Sequence, residues 1–189
     1  KNIYKGNIFI DKTKGIVQIG EVMELLLDGF EQVMDGGPLA REPCFGVKMV
    51  LTDLKLHEDA IHRGPAQMYP AVRECIKLSM MGAGPSIFEP MQTHLIEAPV
   101  ESMGDVTRLV MNKRGQILDI QEGAQVVVKA KLPVAEMLGW SSDLRSATGG
   151  RGTSSLMDQA FERLPSELQD KVVRQIVQRK GLTAGMLGA

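Results

Sequence analysis

Between residues 46 and 81 the apolar positions change period, and that change dictates how the middle of this chain folds. In 46–56 (GVKMVLTDLKL), Val47, Met49 and Leu51 alternate with Lys48, Val50 and Thr52, the period of a strand, and the phase shifts near Asp53 as it does at a bulge. In 65–81, Met68, Ala71, Val72, Cys75, Ile76 and Ser79 recur every three or four residues with Arg73, Glu74 and Lys77 outside, which predicts a helix stopped by Gly82. The joining segment, 56–70 (LHEDAIHRGPAQMYP), crowds His57, Glu58, Asp59, His62 and Arg63 around only two apolar residues, Ala60 and Ile61. So polar a stretch belongs in water, and Gly64-Pro65 ends it and opens the helix. A strand and a helix therefore meet at an exposed tip loop.

The residues before it complete a small layer. Residues 7–10 read as a strand and Asp11 to Gly15 (DKTKG) as the turn after it. Ile19, Val22, Met23, Leu26, Leu27, Phe30, Val33 and Met34 then form one stripe of a long helix, with Glu21, Glu24, Asp28 and Glu31 on the other face and Gly36-Gly37-Pro38 ending it. The order strand, helix, strand, loop, helix predicts an α+β layer with both helices on one face of the sheet. The apolar strand NIFI has no evident partner before it and the chain opens on Lys1, so we expect a piece of a larger protein.

Ala83-Gly84-Pro85-Ser86 reads as a linker, and a new pattern follows it. Strands are expected at 91–97, 115–121 and 124–132, helices at 101–112 and 134–148, and a fourth strand, weakly patterned, at 151–164. That order is βαββαβ, the ferredoxin-like arrangement. Ser166 with Gln169 marks a closing helix whose stripe is Leu168, Val172, Val173, Ile176 and Val177, free to pack back on the first domain.

Composition narrows the classes. Twenty-two Lys and Arg against 23 Asp and Glu give a net charge of -1, which excludes a uniformly basic nucleic-acid coat and leaves local patches open. Two cysteines without CxxC spacing argue for reduced, buried thiols, and no apolar run is long enough for a membrane span, so a cytoplasmic protein is expected. His57, Glu58 and His62 look like a shifted HExxH, a metal-dependent hydrolase with His94 as a remote third ligand. Five residues along a helix, however, turn the two rings about 140° apart, too far for one metal. No serine sits in a GxSxG elbow, and Thr148-Gly149-Gly150-Arg151-Gly152 lacks the order of a phosphate loop and reads as a turn. Trp140, Tyr4 and Tyr69 are too scattered for a stacking platform. Arg108, Lys113, Arg114, Arg145 and Arg151 could still meet RNA phosphates, and the acidic helix face could dock a protein.

One resemblance covers nearly the whole chain. LHEDAIHRG at 56–64 followed by Pro65-Ala66-Gln67, with DKTKG at 11–15, MNKRG at 111–115, VKAKLP at 128–133 and DLRSATGG at 143–150, resembles the fourth and fifth domains of the elongation factor 2 family of ribosomal translocases. The archaeal branch fits better, because eukaryotic members carry glycines where this chain has Pro65-Ala66. The resemblance implies a partial fourth domain at 1–85 with a left-handed βαβ ribosomal-protein-type fold and its tip at 56–66, completed by the helix at 165–181, and a ferredoxin-like fifth domain at 86–164. It implies that His62 is the histidine converted to diphthamide, the target of ADP-ribosylating toxins, with His57, Glu58, Asp59, Ala60, Ile61, Arg63 and Gly64 facing tRNA and mRNA. The implied partners are the ribosome and the diphthamide-synthesis enzymes, with no membrane and a monomeric chain. GTP and magnesium belong to the family's absent first domain, so this segment is expected to hold no cofactor and no catalytic site.

Overall fold

The computed structural model describes residues 2–183 and divides the chain into two compact units, one containing the chain up to Pro85 together with the segment from Ser166, the other Ser86–Pro165. Mixed helices and strands in two separate sheets make it an α+β protein.

In the first unit, strands β1 (Asn2–Tyr4), β2 (Asn7–Asp11) and β3 (Lys48–Leu51) lie side by side in that order. The expectation that the NIFI strand lacks a preceding partner is overturned: β1 pairs antiparallel with β2 across a tight turn, in which Lys5 (φ 46°) and Gly6 (φ 78°) both take left-handed backbone. Strands β2 and β3 are parallel, joined by helix α1 (Ile19–Asp35). Helix α2 (Pro65–Gly82) follows the tip loop. Val22, Leu26, Phe30, Val33 and Met34 of α1 and Met68, Val72, Ile76 and Met80 of α2 share one core with Phe9 of β2; the stripe of α1 points where its spacing directs it, whereas on α2 Ala71 and Ser79 stay exposed and Met80 is buried in their stead. Buried Asn7 ties β2 to the loop before β3, donating to the Cys44 carbonyl at 2.8 Å and accepting from the Val47 N–H at 3.0 Å. Cys75, expected inside, is exposed on α2, whereas half-buried Cys44 has its thiol pKa pushed up by burial.

The strand expected over 46–56 is only four residues long. Its pairing stops at Asp11↔Leu51, where β2 ends, so residues 52–56 have no ladder to join. Leu54 and Leu56 nonetheless pack against the core while Thr52, Asp53 and Lys55 stay exposed, and the alternation persists without the strand. The bulge expected near Asp53 is absent there; register shifts occur in the other sheet, at Thr93/His94 and Ile117/Asp119.

In the second unit, strands β4 (Phe88–Ala98), β5 (Gln116–Glu122), β6 (Val126–Pro133) and β7 (Thr153–Arg163) form an antiparallel sheet of order β5-β6-β4-β7. Helices α3 (Met103–Asn112) and α4 (Trp140–Ala147) complete βαββαβ in ferredoxin-like order. Ile96, Ala98, Val126, Val128, Ala130 and Leu132 of the sheet meet Val106, Val110, Trp140 and Leu144 of the helices. The single helix expected over 134–148 is divided into a short 3-10 turn and α4, because Gly139 adopts φ 78° and Leu138 stands 91% exposed. Helix α5 (Ser166–Arg179) returns to the first unit with its stripe half-buried. Gln169 donates to the Pro85 carbonyl, and Lys180, just beyond the helix, reaches the carbonyls of Ala40 and Arg41 and the carboxylate of Glu42.

Candidate functional site

At the tip, each short-range hydrogen bond prepares the next. The His57 imidazole accepts the Asp59 N–H on Nδ1 at 3.1 Å, which leaves the ring proton of the neutral form on Nε2. Asp59 takes extended backbone (φ -80°, ψ 123°) and its carboxylate accepts the Ile61 N–H at 3.1 Å, capping a 3-10 turn at Ala60–Arg63. The Asp59 carbonyl accepts the His62 N–H at 3.2 Å. Gly64, extended at φ -77°, then opens α2 with its carbonyl accepting from Gln67 and Met68. His57, Glu58, Asp59, Ala60, Ile61 and His62 are all exposed, Ile61 at 73%.

The His57 and His62 rings meet edge to face, their centroids 4.5 Å apart and their planes at 66°. The angular argument from helix geometry therefore fails here: only Ala60–Arg63 is helical, and the chain between the two histidines folds back and brings the rings together. The pair does not make a metal centre by itself. Among the described residues no group of three or more His, Cys, Asp or Glu could hold a metal ion. His94 lies in the second unit, on β4, where it is 8% exposed between Ser154 (2.9 Å from Nδ1) and Gln92 (3.1 Å from Nε2), and burial holds its pKa below the ordinary imidazole value.

Arg63 differs from its neighbours. Its side chain is 11% exposed and turns toward α1, where it meets Glu21 at 3.4 Å, while its buried Nε has no hydrogen-bond partner among the described residues. The acidic face of α1 is partly spent in the same way, since Asp28 accepts the Tyr69 hydroxyl of α2 at 3.0 Å.

Pattern reading did not single out Lys12, Lys14 and Lys55, all exposed. Because β2 and β3 are parallel, the DKTKG turn and the segment leading to His57 leave the sheet at one end, with the Lys12 N–H bonded to the Leu51 carbonyl at 2.8 Å. The clue was available in a parallel pairing around α1, but the residues alone do not state the pairing. Among the described residues none of these lysines makes a salt bridge.

The five cations expected to touch RNA have different surroundings in the second unit. Arg114 is bidentate to Glu89 (3.2 and 3.0 Å) and bonds Glu136 through Nε at 2.9 Å, which commits its fork inside the unit. Lys113 is held by Asp143 at 2.8 Å, Arg151 by Glu101 at 2.9 Å and Arg108 loosely by Asp105 at 3.6 Å. Exposed Arg145 has no salt bridge among the described residues. The glycine-rich segment is a turn, with Gly149 at φ 60° and Gly150 at φ 82°, pinned by the Gly152 N–H donating to the Thr148 hydroxyl.

Known proteins match both units. The family profile described as elongation factor G, domain IV, matches residues 1–84, and that described as elongation factor G C-terminus matches residues 86–172. These matches and the two α+β units define the class: adjoining C-terminal domains of a translation elongation factor. Among curated relatives, the elongation factor 2 of Nanoarchaeum equitans is 55% identical over 183 residues, that of Pyrococcus furiosus 51% over 182, and that of Methanosphaera stadtmanae 49% over 183, each aligned with 96% of this chain. The chain belongs to the elongation factor 2 family of archaea, and it spans about a quarter (25%) of the length of these relatives.

Proposed function

We propose that this segment is the ribosome-engaging arm of a GTP-dependent factor that moves tRNA and mRNA through the ribosome, with His62 as its contact histidine and the site of a diphthamide-type modification. Its place of action on this reading is the cytoplasm, and no helix among the described residues is long and apolar enough to cross a membrane. GTP and magnesium belong to another part of the parent protein, and the segment contributes position rather than bond cleavage. The observation that carries the reading is the tip itself: His62 stands exposed on a short capped turn between a strand end and the first turn of an 18-residue helix. A histidine so placed is open to a modifying enzyme and to RNA together, and a paired RNA is read at close range by shape and backbone contacts. Lys12, Lys14 and Lys55 supply positive charge at the same end of the sheet for phosphates.

The test is mass spectrometry of the protein from its native source. The peptide carrying His62 gains mass if the reading holds and becomes a substrate for a diphtheria-type toxin with NAD. An unmodified peptide that the toxin leaves unlabelled refutes the modification. Ribosome binding is scored separately, by cosedimentation of the parent factor and of a variant lacking the tip.

A further inference from the structure

We propose that His57 is a positioning residue for His62, fixing which edge of that imidazole the tip presents. The two histidines reach the tip from opposite sides. His57 ends the segment leaving β3, and His62 belongs to the turn entering α2; together with Arg63 they line one end of an open groove between those two elements, about 510 Å³ in volume. Two routes lead from His57 to His62. The first runs through hydrogen bonds: His57 Nδ1 accepts from the Asp59 N–H, and Asp59 in turn holds the Ile61 and His62 amides. This sets the backbone. The second runs through the rings, 4.5 Å apart and edge to face. This sets the side chain, since an exposed histidine otherwise samples several rotamers.

Both routes are needed for the arrangement seen. A turn fixed only through Asp59 leaves the His62 ring free to rotate about χ1, whereas a ring contact on an unfixed turn has no constant geometry to hold. With one side of the His62 ring packed against His57, the rest of the exposed ring is left for a partner. A modifying enzyme or an RNA surface then meets a ring already oriented, and the cost of ordering a loose side chain on binding is reduced. In its consequence for modification the proposal rests on the reading of His62 above, whereas the geometry stands or falls by itself.

Two substitutions separate the routes. His57→Asn keeps an acceptor near the position of Nδ1 but removes the ring; His57→Phe keeps a ring but removes the acceptor. The 189-residue chain is examined by NMR for the χ1 couplings and ring-proton shifts of His62 and for exchange of the Asp59 amide. His57→Asn is expected to average the His62 rotamers and abolish its ring-current shift while Asp59 stays protected. His57→Phe is expected to retain the ring-current shift and lose protection at Asp59. Because His57 is exposed, unchanged α2 amide protection serves as the control for folding. Unaltered His62 couplings and ring shifts in His57→Asn overturn the proposal.

The functional arm expresses His57→Asn and His57→Phe in the native host and follows the rate at which each acquires the His62 modification. A severalfold slower rate in His57→Asn than in His57→Phe is expected, and equal rates in the two overturn the claim that the ring positions the substrate histidine. Absence of modification in the parent protein refutes the earlier reading instead, and the NMR comparison then decides the positioning role alone.

Discussion

Gly29 lies where α1 meets α2, and replacing it tests the packing that carries the tip. It is buried, and a Cβ built there comes 2.7 Å from Val72 Cγ1 and 3.2 Å from Val72 Cβ. Valine in a helix is held near one rotamer, so its methyl group has little room to retreat. Gly29→Ala gains about 0.5–1 kcal/mol from helix propensity and loses about 1–3 kcal/mol to overpacking. The expected net runs from about zero to roughly 2.5 kcal/mol of destabilisation. Val72→Ala alone costs about 2 kcal/mol through lost burial and the void it leaves. In the double variant the new methyl group occupies that void, and the combined loss should fall short of the sum by at least about 1 kcal/mol. The chain's single tryptophan, Trp140, lies in the second unit, so its fluorescence is a control that should not move. Urea titration followed by amide exchange in α1 gives the first unit's stability. Stabilisation by Gly29→Ala, or simple additivity with Val72→Ala, would falsify the close approach of the two helices.

Three further outcomes follow from the side chains around the second core and the tip. His94 has its folded pKa lowered by burial, so the unfolded chain takes up the proton first; its contribution is present above the ordinary histidine value of 6.5 and is lost as pH falls through the folded pKa. The Trp140 urea midpoint should therefore drop between about pH 7.5 and 5.5 and drop less in His94→Gln. Arg114→Ala, which strands Glu89 and Glu136, should cost the second unit about 1–3 kcal/mol, whereas Arg145→Ala should leave the Trp140 transition unmoved. Replacing Lys12, Lys14 and Lys55 together should weaken ribosome binding by the parent factor and flatten its dependence on salt by about two to three ion contacts. An unchanged salt slope would remove them from the interface.

Much of the fold is legible because apolar period is a local property. The stripe of α1 names its buried residues directly, that of α2 only Met68, Val72 and Ile76, and β7, the faintest pattern, is still placed within two residues of the expected span at its start. What local pattern does not carry is pairing. Residues 46–56 alternate on both sides of a phase shift near Asp53, yet only Lys48–Leu51 finds a neighbouring strand, because β2 ends at Asp11. The three-residue β1 escapes notice for the opposite reason: it is too short to show a period, and its Lys5-Gly6 turn is not one of the strong hairpin dipeptides. At the tip, the residues identify an exposed polar loop but not its interior. The inward turn of Arg63 and the contact of His57 with His62 depend on α1 and on the 3-10 turn, which no spacing rule contains. Family resemblance singles out His62, and chemistry read from the residues alone does not.

Helix α5 imposes an order on synthesis. The first unit is encoded in two pieces separated by the eighty residues Ser86–Pro165, which form the second unit without interruption. At about 5–20 residues per second, the ribosome takes roughly 4–16 s to cross that gap. For that time the early piece lacks the Leu168, Val172 and Ile176 stripe and the Lys180 anchor on Ala40, Arg41 and Glu42. The later-encoded unit can thus be finished first. Once Pro165 has emerged from the ribosome, the second core can be complete while the first still waits for its last helix.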